Sequence, residues 1–314
     1  MATTSVSSSP ATGARRTGAG GDAPQRQGLT DRAKAERSLG LKLAAPAAIV
    51  MVLVTAFPIG YAIWLSVQRY DLRTPALNHF VGLDNYQLIL TSGVFWQSTL
   101  ATAIITLFSV LIEFVIGLGL ALVMHRAVFG RRTVRTAILI PYGIITVIAG
   151  FAFKYAVDPM AGFVGGNPLG SQTGSFITII LTEVWKTTPF VSLLLLAGLA
   201  GVPEELQEAA KVDGATAWQR LVRVTLPNMK GAILVALLFR TLDAFRIFDT
   251  VYIETQGALK TQTLSQTSYN ALITRVNLGL GSAISVVLFA FVLMIAFIFV
   301  KGFKTDLGAV KGER

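Results

Sequence analysis

A chain of 314 residues that is 53% hydrophobic and only 14% charged, with a mean hydropathy of +0.62, is too apolar for an ordinary soluble domain, so the bilayer is its expected solvent. Its net charge of +10 would suit nucleic acid only as a basic face on a soluble fold; here the charge sits beside apolar runs, which argues against a nucleic-acid partner. With no cysteine, and with His79 and His125 outside any metal-ligand spacing, neither disulfides nor a metal site are expected.

Residues 1–38 are rich in Ser, Ala, Gly, Thr and Arg without apolar periodicity and read as a flexible tail. The apolar run over about 41–67 is too long for the core of a signal peptide and should remain as a first membrane span. Further spans are expected near 95–124, 136–157 and 176–202. Gly117 and Gly119 in the second would let helices approach closely. Glu113 in the second and Lys154 in the third have no local partner, which leaves each other or another chain. In the fourth, Glu183 and Lys186 are three residues apart and can pair, and Pro189 frees a backbone carbonyl and bends the helix. Trp185 and Phe190 flank that bend, where they can stack on a sugar ring or anchor the helix in the lipid interface.

Residues 203–228 form a polar, amphipathic island between apolar stretches. Pro203 suits a helix's first turn, and Glu204 and Glu205 oppose the positive end of its dipole. Gly214 supplies a left-handed C-terminal cap, Thr216 the next N-cap, and Pro227 is expected to end the second helix. Two short helices should therefore meet at a sharp bend. Ala209 and Ala210 keep one face small enough for a partner's groove, and Glu208 offers a charge to an arginine. An amphipathic helix lying among lipid headgroups, through Trp218, Leu221, Arg220 and Arg223, is the competing explanation.

The fifth span, near 229–248, carries Arg240, Asp243 and Arg246, with Asp249 following, alternating in sign every three residues. They can pair along one helix face, either as a ladder bracing helices or as the polar lining of a transport path. Tyr269 and Asn270 add an aromatic and an amide suited to sugar hydroxyls and ring faces. Gly279, Gly281 and Ser282 precede a sixth span at about 283–300, and 303–314 forms a C-terminal tail. Of the 27 basic residues, 19 fall in the tails and in the 125–135 and 203–230 loops, against four in the alternate loops, which places both termini in the cytoplasm. Residues 39–302 are thus expected to form one all-α, polytopic, six-span membrane domain.

Glu208, Ala209, Ala210, Gly214, Leu226 and Pro227 match the spacing of the EAA loop, and the chain resembles the permeases of importer-type ATP-binding-cassette transporters. Val184-Trp185-Lys186-Thr187-Thr188-Pro189-Phe190, the run 193–201 and Leu242-Asp243-Ala244-Phe245-Arg246-Ile247-Phe248-Asp249 are similar to the carbohydrate-uptake branch. The runs 122–126, 140–144, 239–249 and 277–282 resemble, more narrowly, a membrane subunit of actinobacterial trehalose importers. Val224 stands where the pattern has isoleucine, and Thr255-Gln256-Gly257-Ala258-Leu259 replaces a glycine-rich external motif.

This resemblance implies a type I importer permease in the bacterial plasma membrane. Its coupling helix lies between the fourth and fifth spans and docks an ATPase through Glu205, Glu208, Ala209, Ala210, Asp213 and Gly214. It further implies a second six-span permease subunit, two cytoplasmic ATPase domains that hold ATP and Mg, an extracytoplasmic solute-binding lipoprotein and, as cargo, trehalose or a related disaccharide. Another sugar or glycerol phosphate remains an alternative. The candidate substrate path comprises Glu183, Trp185, Lys186, Phe190, Arg240, Asp243, Arg246, Tyr269 and Asn270. No phosphate-binding loop and no catalytic constellation occur in the sequence, so no cofactor and no enzymatic role are expected of this chain. An ion-coupled secondary transporter, using Glu113 and Asp243 as proton sites, is the alternative from another class.

Overall fold

The computed structural model describes residues 31–126 and 130–311. Most of the expected N-terminal tail lies outside them. The chain divides after Phe57 into a short unit and a larger one that begins at Pro58.

Helix α1, Asp31–Ser66, starts inside the segment expected to be flexible, because Ala, Glu, Lys, Arg and Leu over 32–42 are strong helix formers leading into the apolar run. A two-stranded antiparallel ribbon follows, β1 Gln68–Arg69 with β2 His79–Phe80, paired Gln68 to Phe80 and Arg69 to His79. Its connecting turn is tied by Asp71, which accepts from both the backbone and the guanidinium of Arg73. Those bonds hold the Asp71 carboxyl down at about 2.

Then come α2 Asp84–Thr91, α3 Gly93–Arg126, α4 Arg131–Gly143, α5 Thr146–Ala156 and α6 Gln172–Ala200. The third expected span is not straight. Ile144 and Ile145 are extended after Pro141 and Gly143, and α4 and α5 meet at 87°. α7 Glu204–Val212, α8 Ala217–Arg220 and α9 Leu226–Asn228 build the island. α10 Lys230–Ala244, α11 Asp249–Glu254, α12 Leu264–Tyr269 and α13 Leu278–Lys311 complete the chain, α13 running on through most of the expected C-terminal tail.

Among the described residues four helices are long and apolar enough to cross a membrane, over 38–66, 93–126, 172–200 and 278–302, and a fifth crossing is available if α4 and α5 form one broken span. The expected span at 229–248 departs from this pattern. α10 has 15 residues and rises about 22 Å, short of a hydrocarbon core of about 30 Å, because the backbone turns at 245–247 before α11 begins.

The α3–α6 pair forms the most extensive interface, and α10 lies against both helices. Toward one end Ile105, Ile179, Val184 and Val251 pack together; toward the other, Ala121, Val191, Leu195 and Met229 do. Gly117 brings α3 against Val191 of α6, and Gly281 sits on Leu272, whereas Gly119 faces open space and serves no close approach within the chain. Outward faces stay apolar, with Leu107 and Val115 on α3 and Phe297 and Ile298 on α13 exposed, as a lipid solvent requires.

Candidate functional site

Between the two apolar clusters lies a layer of charge. Glu113 and Glu183 stand near the middle of α3 and α6, and Arg240 rises from α10 to meet both. The Arg240 guanidinium donates to Glu113 twice, through Nε and through Nη2 at 2.8 Å. Nη2 also donates to Glu183 at 3.0 Å, and Nη1 to Asp243 at 3.0 Å. Four of its five N–H groups are therefore used. Thr187 adds a bond to Glu113 at 2.8 Å and Thr250 one to Glu183 at 2.5 Å. Arg240 is 1% exposed and Glu113 fully buried, so only this dense pairing makes their burial tolerable.

This geometry corrects several expectations. Arg240 and Glu183, expected on the substrate path, are bonded to each other, Arg240 also to Glu113 and Glu183 also to Thr250, and they are 1% and 6% exposed. Glu183 does not pair with Lys186, and Glu113 does not pair with Lys154, whose ammonium instead donates to Ile253 O at 2.8 Å. The four-rung ladder is also absent. Arg240 and Asp243 pair, but α10 ends at Ala244, so Arg246 turns back to Leu242 O at 3.2 Å and neither it nor Asp249 joins an ion pair among the described residues.

The remaining path candidates stay accessible but fall in separate places. Asp243 keeps 66% of its side chain exposed, and Arg246 is exposed. Tyr269 packs against Phe248 and Tyr252, at 4.9 and 5.5 Å between ring centres, and Asn270 lines a cavity with Gln262 and Arg275. Trp185 lies against Phe153 of α5, and Phe190 stacks on Tyr142 of α4. Lys186 is half-buried. Thr187 and Phe248 entered the sequence reading only within the resembling runs, and Tyr252, Thr250 and Glu254 were not singled out, although hydroxyls at 178, 182 and 187 beside Glu183 signal a polar face on α6.

The island forms the bent pair expected, at the end of the bundle where α3 and α6 finish. Gly214 is left-handed at φ +77°, and Thr216 and Gln219 close a capping box at the start of α8. Pro227 does not end the second helix. A π turn over Leu221–Thr225 absorbs the proline and carries the chain on toward α10. Gln207 of α7 donates to Thr225 Oγ1 at 2.8 Å and ties the arms together. Glu205, Glu208, Ala209, Asp213 and Gly214 are exposed, Ala210 is partly so, and the acids form no ion pair among the described residues. Val212 and Trp218 are 87% and 71% exposed.

The class defined by this fold is the polytopic helical membrane protein that offers a bent polar peg at one end of its bundle. A family model described as "Binding-protein-dependent transport system inner membrane component" matches residues 113–303, and the chain belongs to that family. It is 55% identical over 275 residues to the trehalose transport system permease protein SugA of Mycobacterium tuberculosis, covering 86% of this chain and 90% of the relative. It is 35% identical to the trehalose/maltose transport system permease protein MalF of Thermococcus litoralis, over 87% and 96% of the two chains. The fold matches a bacterial ABC transporter involved in import of the acidic polysaccharide alginate, with a TM-score of 0.71 at 22% identity over 85% and 97% of the chains. A bacterial alginate ABC transporter in complex with alginate pentasaccharide-bound periplasmic protein has the same fold, with a TM-score of 0.71 at 21% identity. The chain is thus an ABC importer permease of the inner membrane.

Proposed function

We propose that this chain is one of two permease subunits of an ATP-driven importer for trehalose or a closely related disaccharide. The observation that carries the cargo is the 55% identity, along nearly the whole chain, to a trehalose permease. In this reading the chain catalyses no reaction itself. Two cytoplasmic ATPase domains bind ATP and Mg, a second permease completes the pore, and an extracytoplasmic solute-binding lipoprotein delivers sugar.

The peg at 203–228 seats one ATPase domain. Its uncompensated acids, its small Ala209 and Ala210 face and its exposed Val212 and Trp218 suit a groove that supplies cations and apolar contact. In this reading the peg and both termini lie in the cytoplasm, in keeping with the distribution of basic residues. Asp243, Arg246, Tyr269 and Asn270, with Trp185, Lys186 and Phe190, are the path candidates that keep accessible surface for sugar; Arg240, Glu113 and Glu183 hold α3, α6 and α10 together. An ion-coupled transporter loses its two proposed proton sites, since Glu113 and Asp243 are both bonded to Arg240.

The test is purification with associated proteins, followed by a disaccharide screen for stimulated ATP turnover. A co-purified ATPase stimulated best by trehalose in the presence of binding protein is expected. Uptake abolished by collapse of the proton gradient while ATP is maintained would sink the ATP-driven reading.

A further inference from the structure

Glu254, the last residue of α11, lies between the fifth and sixth expected spans and is 3% exposed. Its Oε1 is 2.6 Å from Thr182 Oγ1 on α6, while its Oε2 is buried with no hydrogen-bond partner. Thr182 owns a single hydroxyl hydrogen, and Thr178 O, one turn back, lies 3.0 Å away in position to take it. With that hydrogen used, the 2.6 Å contact needs its hydrogen from the carboxyl. An ionised Glu254 would leave two buried, charged oxygens competing for at most one donor, which is costly; a neutral acid donates to Thr182 and leaves only the uncharged carbonyl oxygen Oε2 without a partner, a smaller penalty.

The surrounding charges agree. From α5, Lys154 has its ammonium on Ile253 O rather than on Glu254. From α6, Glu183 adds negative charge beside Thr182, with its own oxygens held by Arg240 of α10 and by Thr250, while Lys186 makes no bond to the carboxyl. On α11 itself Asp249 is exposed. Burial above all, with the Glu183 carboxylate, outweighs the Thr182 hydroxyl and the Lys154 charge and pushes the Glu254 carboxyl up to about 8.

We propose that Glu254 is a proton-binding site: at neutral pH it is a neutral acid whose O–H bond to Thr182 latches α11 onto α6 and so fixes Tyr252 within its aromatic group. The bound proton is a structural ligand, and the assignment is independent of the cargo. A carboxyl raised from 4.5 to about 8 in the folded chain keeps a proton that the unfolded chain has lost. Its contribution to stability is therefore full below about 4.5 and is lost as pH rises through about 8.

The experiment is infrared titration of the purified complex with and without Glu254→Gln, together with melting temperatures over the same pH range. Glutamine copies the neutral acid in shape and can still donate to Thr182. The wild-type minus variant spectrum should hold a buried neutral-carboxyl C=O band that falls about tenfold from pH 7 to pH 9, as a single site titrating near 8 requires. The wild-type melting temperature should drop across that window while the glutamine variant's does not. If Glu254→Gln fails to assemble, Thr182→Val serves: the band should persist at pH 7 but shift as its hydrogen bond is lost. An ionised-carboxylate band at pH 7, or no shift in Thr182→Val, would overturn the assignment, as would identical pH slopes for wild type and Glu254→Gln.

Discussion

The polar groups at Arg240 and those on the peg serve opposite purposes, although both are charged interruptions of an apolar chain. Around Arg240 nearly every donor and acceptor is satisfied inside the protein, and Asp243 apart, its carboxylate partners are buried. On the peg the acids of α7 and Asp213 are exposed and join no ion pair among the described residues, while the bend beneath them is fixed by left-handed Gly214 and the Thr216–Gln219 capping box. A saturated charge cluster holds its own chain together; the exposed acids of the peg are, in the proposed function, completed by another chain.

The sharpest way to break this contrast is Arg240→Ala. It should strand Glu113 and Glu183 and cost roughly 3–5 kcal/mol, read as a large loss of folded protein in detergent. Arg240→Lys should recover part of that loss, since one ammonium cannot reproduce a fork shared among three carboxylates. Next in size, Gly214→Val forces a β-branched residue into left-handed backbone, at about 1–2 kcal/mol locally, and should reduce ATPase co-purification while leaving membrane insertion unchanged. Glu208→Lys should likewise weaken ATPase association, with a melting temperature within a degree or two of wild type; undiminished association with normal sugar-stimulated hydrolysis would remove the peg's assigned role. Thr216→Ala should cost about 1 kcal/mol by removing the cap of α8, visible as faster amide exchange around Trp218. Asp243→Asn should change stability least, by less than about 1 kcal/mol, because its carboxylate is two-thirds exposed, yet it should lower uptake if that surface meets sugar.

What could be read from the sequence follows how far each cause acts along the chain. Gly214 and Thr216 were legible because caps are local: a left-handed residue and a hydroxyl three residues from a glutamine carry their meaning within one turn. Long apolar runs likewise announced α3, α6 and α13. Pro227 misled, since whether a proline ends a helix or is absorbed by a π turn depends on what the turn packs against, here Gln207 eighteen residues back. The alternating charges on α10 misled for the same reason. Nothing local marks the break at 245–247, and the true partner of Arg240 lies 127 residues away on α3.

The π turn at Leu221–Thr225 has one last consequence, for azimuth. An extra residue lodged in a helix rotates everything on one side of it by about 100° relative to the other. The direction in which Trp218 leaves the bundle is thus geared to the direction in which Arg240 enters it, through a single inserted position. Deleting one residue from 221–225 should leave Arg240 seated and the bundle as heat-resistant as before, while swinging α8 about a quarter-turn off its heading; under the proposed function, the ATPase would then find its handle facing the wrong way.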